Sequence, residues 1–127
     1  MTSAADDLAR PPTDSEVAQA LARFAHDVRQ HYGERVQGLY LFGSRARGDH
    51  RPDSDVDVAV VLADGAWTAW AERWTLNRMA YEPGLDSGLF IQVWVFSESQ
   101  WNDASPCGAT ELVHAARRDA RLVGGAS

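Results

Sequence analysis

The sequence predicts an α/β or α+β sandwich, on three observations. Apolar residues recur at helical spacing near the start, three short apolar runs read as strands, and the elements follow the order helix, strand, strand, helix, strand, helix. The first helix opens where Thr13 and Glu16 form a capping box. Val17, Ala20, Leu21, Phe24, Ala25, Val28 and Tyr32 then line one face, and the run ends near Gly33. Val36 to Phe42 is short, apolar and aromatic, a strand that stops at Gly43. After a loop rich in glycine, proline and charge, Val56 to Leu62 is apolar on both faces once past Asp57, as a central strand is.

Ala63-Asp64-Gly65 turns the chain into a second helix over residues 66–81. Trp67, Trp70, Ala71, Trp74 and Arg78 recur at helical spacing there, and Leu76 and Met79 widen the stripe. A tryptophan stripe of this kind is expected to face the core. Pro83-Gly84 is expected to break the helix. Gly88 to Ser97 reads as the third strand, with Ser97 or Ser99 capping a short helix around Gln100 and Trp101. Beyond a loop holding Pro106 and Gly108, residues 109–122 read as a last helix carrying Leu112, Val113, Ala116 and Leu122. Arg117, Arg118 and Arg121 suit the negative end of its dipole.

The 127 residues fit one domain, expected over 13–123 between an N-terminal arm, 1–12, and a short tail, 124–127. Apolar residues make up 45% and charged residues 24%, a globular mix. Cys107 stands alone, which excludes a disulfide framework and a cysteine-cluster metal site. His26, His31, His50 and His114 are scattered. The N-terminus lacks the apolar run of a secretory signal, and no apolar stretch approaches the roughly 20 residues that span a bilayer. A cytoplasmic protein without a membrane partner is the expectation. The net charge of −6 argues against a dedicated grip on long nucleic acids, which needs a basic face.

The loop between the first two strands, about a dozen residues, is long for a plain hairpin. Three chemistries compete for residues 43–57. A P-loop fails because Asp49 stands where the pattern needs lysine, and a carboxylate there repels phosphates. A calcium loop fails because its turn glycine would fall at Val58 and its bidentate glutamate at Asp64. A metal-dependent nucleotidyl-transfer site fits. Asp55 and Asp57, two apart in a strand, share one face, and such a pair is costly until a divalent cation neutralises it. Hard oxygen ligands suit Mg²⁺, which readily shares its shell with substrate phosphates. Just upstream, Gly43 lets backbone approach a phosphate, Ser44 offers a hydroxyl, and Arg45, Arg47 and Arg51 add cations.

Gly43-Ser44, ten residues, then Asp55-Val56-Asp57 resembles the signature of the polymerase-β-type nucleotidyltransferases. GSRARGDHRPDSDVDVAVV in particular is similar to the minimal nucleotidyltransferase (MNT) branch, over about a sixth of the chain. The resemblance implies a small mixed sheet with helices packed on one face and the active site on its open side. It implies that the Gly43 backbone and Ser44 hold the β- and γ-phosphates of ATP, with Arg45 and Arg47 beside them. It also implies that Asp55 and Asp57 bind Mg²⁺, two ions being the family pattern, and transfer AMP to a hydroxyl with release of pyrophosphate.

One departure from that pattern concerns the third carboxylate, which family members usually add from a neighbouring strand. Residues 88–97 contain no Asp or Glu, and Gln92, which shares a face with Phe90 and Trp94, is the polar candidate for the catalytic position. Asp86 and Glu82 are the nearby carboxylates that would have to reach in from the loop. Larger relatives hold the acceptor on a further helical domain. The resemblance therefore implies an acceptor on another protein, or a site shared between subunits of a homodimer. Stand-alone MNT proteins pair with small helical HEPN proteins, so the implied role is an antitoxin that adenylylates its toxin. A catalytically silent MNT module that acts by binding, and an aminoglycoside-type small-molecule nucleotidyltransferase, are the alternatives.

Overall fold

The computed structural model describes residues 12–102 and 111–123. Helix α1 spans Asp14–Tyr32 and opens with the expected capping box: the Glu16 amide donates to Thr13 Oγ1 at 3.1 Å, and the Thr13 amide donates to Glu16 Oε1 at 3.0 Å. A 3₁₀ turn, Gly33–Arg35, leads into β1, Val36–Phe42. A single helical turn follows as α2, Ser44–Arg47, then β2, Val56–Leu62, and the long helix α3, Ala69–Ser87. The chain continues through β3, Ile91–Ser97, α4, Glu98–Asn102, α5, Glu111–Asp119, and a two-residue β4, Arg121–Leu122. Ser97 is the cap of α4, its hydroxyl accepting from the Gln100 amide at 3.1 Å while Gln100 Oε1 accepts from the Ser97 amide at 3.0 Å.

The strands form one mixed sheet in the order β3-β2-β1-β4. Strand β2 runs antiparallel to β1 and parallel to β3, so it is central, as its apolar run predicts. Helices α1 and α3 pack on one face through Leu21, Phe24, Val28, Leu76 and Ala80 against Leu39, Val58, Val60 and Val93. The opposite face is partly covered as well. Phe42, Ala59, Val61 and Phe96 form a second apolar cluster with Trp101 of α4 and Val113 and Ala116 of α5. Among the described residues, Asp57 and Gln92 lie on that face beyond this cluster.

The structure corrects three sequence expectations about elements. Helix α3 does not break at Pro83-Gly84 but runs through them to Ser87. Both residues are buried, and Arg23 of α1 ties down the extra turn through Glu82 and Asp86. The helix stops at Gly88 instead, at φ 72°, where the Leu89 amide reaches Gly84 O and the Gly88 amide reaches Leu85 O. This pairing is a Schellman end, and it needs the left-handed backbone that glycine supplies. The third strand accordingly starts at Ile91 rather than Gly88.

The tryptophan stripe is the second correction. Trp67 does pack against the core, its indole N–H donating to Ala63 O at 2.8 Å, but Trp70 and Trp74 are 80% and 63% exposed. The buried face of α3 is Leu76, Ala80, Pro83 and Gly84, with Arg73 and Asn77 turned to the edge of β3. There Asn77 accepts from the Val93 amide and donates to its carbonyl, and Arg73 adds a second donor to that carbonyl. Side chains from α3 thus occupy the outer edge of β3 at Val93.

Third, the last helix ends at Asp119, not near 122. Arg121 and Leu122 pair with Leu41 and Tyr40, and buried Val123 donates its amide to Leu39 O at 2.9 Å. Burying Val123 in the core beside α1 requires the chain to leave the helix. The expected arm before residue 12, the loop with Pro106, Cys107 and Gly108, and the tail lie outside the described residues. Among the described residues, no helix is long and apolar enough to cross a membrane.

Candidate nucleotide and metal site

The site is built where β1 ends and β2 begins. In the antiparallel register Phe42 is opposite Asp57, and in the parallel register Asp57 is opposite Gln92. Cross-strand neighbours share a face, so Asp57 and Gln92 point to the same side, with Trp94 following Gln92 two residues on. That is the open end of the sheet.

Gly43 makes the turn out of β1 at φ 78°, ψ −156°, a backbone region essentially closed to other residues. A Cβ on Gly43 would lie 2.7 Å from Asp57 Oδ2. The absent side chain is therefore where the Asp57 carboxylate sits. Ser44 follows as the first residue of α2, half-buried, at a helix start whose first amides have no acceptor within the helix.

Asp55 precedes β2 by one residue and is exposed, whereas Asp57 is half-buried. Burial pushes the Asp57 carboxyl above its ordinary 3.8, and the Asp55 charge pushes it further. The Trp94 indole lies close enough to offset part of that rise, yet its buried N–H does not reach hydrogen-bond geometry with any partner among the described residues. A desolvated carboxylate crowded by a second one is a donor set that a hard divalent cation relieves, so the pair fits Mg²⁺. Among the described residues no group of three His, Cys, Asp or Glu side chains gathers as a metal cluster, so the remaining ligands would be phosphate oxygens and water.

The arginines divide. Arg45 is 8% exposed and turns inward, donating to Ser54 O at 3.1 and 2.9 Å and to Pro52 O at 3.0 Å. Its guanidinium is engaged with loop carbonyls and fixes the segment leading to Asp55, rather than standing open beside Ser44. Arg51 and Ser54 close a small turn in the same segment, Ser54 Oγ accepting from the Arg51 amide at 2.9 Å. Arg47 is on the surface, donating to Asp49 at 3.1 Å and to Asp119 of α5 at 2.8 Å.

Neither of the two nearby carboxylates, Glu82 and Asp86, reaches the site. Glu82 and Asp86 belong to α3, on the far face of the sheet, and both are bound to Arg23, at 3.5 and 2.6 Å. Gln92 remains the polar side chain opposite Asp57. Sequence reasoning missed Arg73, whose guanidinium carbon stands 4.0 Å from the centre of the Trp94 ring. A helix residue bringing a cation around a sheet edge leaves no periodic signal in sequence.

Comparison with known proteins identifies the family and the fold. The nucleotidyltransferase-domain family matches residues 21–119. Two Methanocaldococcus jannaschii proteins that carry the provisional name of protein adenylyltransferase are similar in part. One is 37% identical over 43 residues, 34% of this chain and 43% of the relative, and the other 33% identical over 49 residues, 39% and 50%. The matched stretch thus spans about half the length of these curated relatives. A Sulfolobus solfataricus crystal structure, provisionally a nucleotidyltransferase, superposes at TM-score 0.53 with 18% identity, over 86% of this chain and 82% of that one. A toxin–antitoxin crystal structure with AMP-PNP superposes at 0.52 with 24% identity, over 84% and 74%. At such identities the structural likeness establishes the fold, an α+β mixed sheet. With the match running from α1 to the end of α5 and enclosing every element of the site, this chain belongs to the nucleotidyltransferase-domain family.

Proposed function

We propose that this chain binds ATP with Mg²⁺ at Gly43, Ser44, Asp55 and Asp57 and transfers AMP to a hydroxyl on a partner protein. The observation that carries the reading is the fit of the Asp57 carboxylate into the space left by Gly43. It puts the Asp57 carboxylate, which would hold the cation, directly against the turn that would carry the phosphates. Ser44 would donate its hydroxyl to the terminal phosphates, and Asp55 and Asp57 would hold the cation. Bound Mg²⁺ would neutralise the phosphates and the carboxylate pair during in-line attack. In the transfer, the acceptor oxygen bonds to the α-phosphorus, the bond to the bridging oxygen breaks, pyrophosphate leaves, and the hydroxyl proton passes to water.

Arg45 is assigned here to positioning the loop, and Arg47 to the rim, where a phosphate would have to compete with Asp49 and Asp119. The acceptor we favour is a small helical HEPN-type toxin, with this chain as its antitoxin acting in the cytoplasm. Support comes from the toxin–antitoxin structure of the same fold and from the adenylyltransferase relatives. Incubating the protein with labelled ATP, Mg²⁺ and the product of the adjoining reading frame, then weighing both proteins by mass spectrometry, tests it. An added AMP on the partner is expected, and an unmodified partner would refute transfer.

A second reading rests on a specific observation. Gln92 is the residue opposite Asp57 in the β2–β3 register, and Arg23 holds Glu82 and Asp86 on the other face of the sheet. An amide cannot accept the acceptor hydroxyl's proton at neutral pH. Tight partner binding without AMP transfer would favour a module that neutralises by binding alone.

A further inference from the structure

Helix α3 exposes a strip of large apolar side chains that the site does not use. Trp70, Trp74, Tyr81 and Leu85 are 80%, 63%, 63% and 63% exposed, and Phe90 beyond the helix is 58% exposed. At 100° per residue these four helix positions fall within one narrow face, with exposed Arg78 between them. Isolated apolar residues on a surface need no explanation, but a contiguous aromatic strip marks a contact surface.

The strip is symmetric about its own middle. Its gaps are four, seven and four residues, so the midpoint falls between Asn77 and Arg78. The two halves also differ in shape in a complementary way. The N-terminal half projects Trp70 and Trp74, while the C-terminal half borders a cavity of about 400 Å³ lined by Tyr81, Leu85, Phe90 and Ile91 and, on its polar side, by Arg73, Asn77 and Gln92. A helix carrying a knob at one end and a hole at the other is complementary to its own inverted copy, and a two-fold axis satisfies both at once. The surface suffices as well. Four rings of about 150–250 Å² each, exposed to this degree, offer roughly 400–650 Å² per copy. A standard interface buries about 800 Å² per partner and a weak, transient one less than about 600 Å², so the strip suits a reversible dimer.

We propose that two copies of this chain pair through α3, antiparallel about a two-fold axis near Asn77 and Arg78, each Trp70–Trp74 pair seating in the other copy's Tyr81–Leu85–Phe90 cavity. The pairing does not require the nucleotidyl-transfer reading, but it would cover Gln92, which lines the same cavity. It leaves the edge of β3 closed, because Asn77 and Arg73 keep their bonds to Val93. Arg78 lies close to the axis, so each guanidinium lies near its own copy. That like-charge contact lowers the affinity of the pair without abolishing it.

Sedimentation equilibrium of the full chain tests the pairing. A reversible dimer at micromolar concentration is expected, and Trp70→Ala with Trp74→Ala should sediment as a monomer with unchanged circular dichroism. Geometry is tested separately by Trp70→Cys with Leu85→Cys in a Cys107→Ser background. Within one chain those positions lie about 22 Å apart along the helix, beyond a short bis-maleimide, but antiparallel pairing brings each beside the other copy's partner position. A covalent dimer is expected for the double variant and not for Trp70→Cys alone. Mixing the parent chain with Arg78→Glu should enrich the mixed dimer over either homodimer. A parent chain that remains monomeric to near-millimolar concentration would overturn the proposal, even if another protein bound the strip, as would equal cross-linking of single and double variants.

Discussion

The carboxylate of Asp57 occupies the space that a side chain on Gly43 would need, with Oδ2 only 2.7 Å from where that Cβ would stand. Two residues fourteen apart in sequence are thus fitted to each other, across the Phe42–Asp57 pair of the β1–β2 ladder. Gly43→Ala meets two penalties together, a disfavoured positive φ and a collision with the carboxylate. It should cost about 1–3 kcal/mol of stability and displace Asp57, weakening Mg²⁺-dependent ATP binding at least tenfold. Chemical denaturation and calorimetry read the two effects. Full stability with parental ATP affinity would show that the close fit is incidental.

Asp57 should also set a pH dependence. Its folded-state pKa is raised, chiefly by burial, so the folded protein holds that proton more tightly than the unfolded chain does. The contribution to stability is therefore complete below the ordinary 3.8, and it is lost as pH rises through the raised folded value. The proposed Mg²⁺ binding should have the opposite sign, since it would need the carboxylate and would weaken as pH falls through that same raised value. Asp57→Asn should abolish both trends, leaving an apoprotein at least as stable as the parent at pH 7. Thermal unfolding from pH 3 to 8, with and without Mg²⁺-ATP, checks this. An unchanged pH profile in Asp57→Asn would assign the titration to another group.

The arginines of α2 should behave differently from each other. Arg45→Ala removes a buried guanidinium and leaves Pro52 O and Ser54 O without its donors, so a loss of about 2–4 kcal/mol is expected. Its effect on ATP affinity should follow from a loosened Asp53–Asp55 segment and be partly recovered by stabilising osmolyte. Arg47→Ala removes a half-exposed guanidinium from an Asp119 carboxylate that is only 8% exposed and keeps Arg118 beside it at 3.6 Å, so a smaller loss of about 1–2 kcal/mol is expected. Equal stability losses would contradict the division between a buried strut and a half-exposed ion pair.

On the proposed reading, position 92 should limit how fast transfer runs. Gln92→Asp adds a carboxylate opposite Asp57 in the β2–β3 register, where a general base would stand. A base in place contributes about two orders of magnitude or more, so transfer to the partner should rise by that scale. Glu82→Gln and Asp86→Asn should leave the rate unchanged, because Arg23 holds both on the other face of the sheet. Single-turnover measurements with the partner would settle it. A large loss of rate in either of those two variants would show that α3 rearranges during the reaction.

Local signals made much of this legible in the sequence. The capping box at Thr13, the strand Val36–Phe42 and the central strand Val56–Leu62 each follow from a pattern only a few residues long. The motif residues could be placed together because one loop carries them and two paired strands fix its ends. What escaped depends on partners distant in sequence. Pro83 stays helical because Arg23, sixty positions earlier, secures its turn, and Trp70 and Trp74 face outward because Leu76 and Ala80 meet the sheet first. Arg45 looked like a phosphate ligand by position, and only the path of the following loop shows that carbonyls claim it.

The most direct test of the account is calorimetric titration of ATP into the protein with Mg²⁺ and with chelator, repeated for Asp55→Ala and Asp57→Ala. The account predicts binding that requires Mg²⁺ and disappears in both variants while their circular dichroism stays that of the parent. Each substitution removes one of two crowded carboxylates and opens no core cavity, so the fold should persist. Equal ATP affinity in the variants, or affinity indifferent to Mg²⁺, would contradict the assignment of this site.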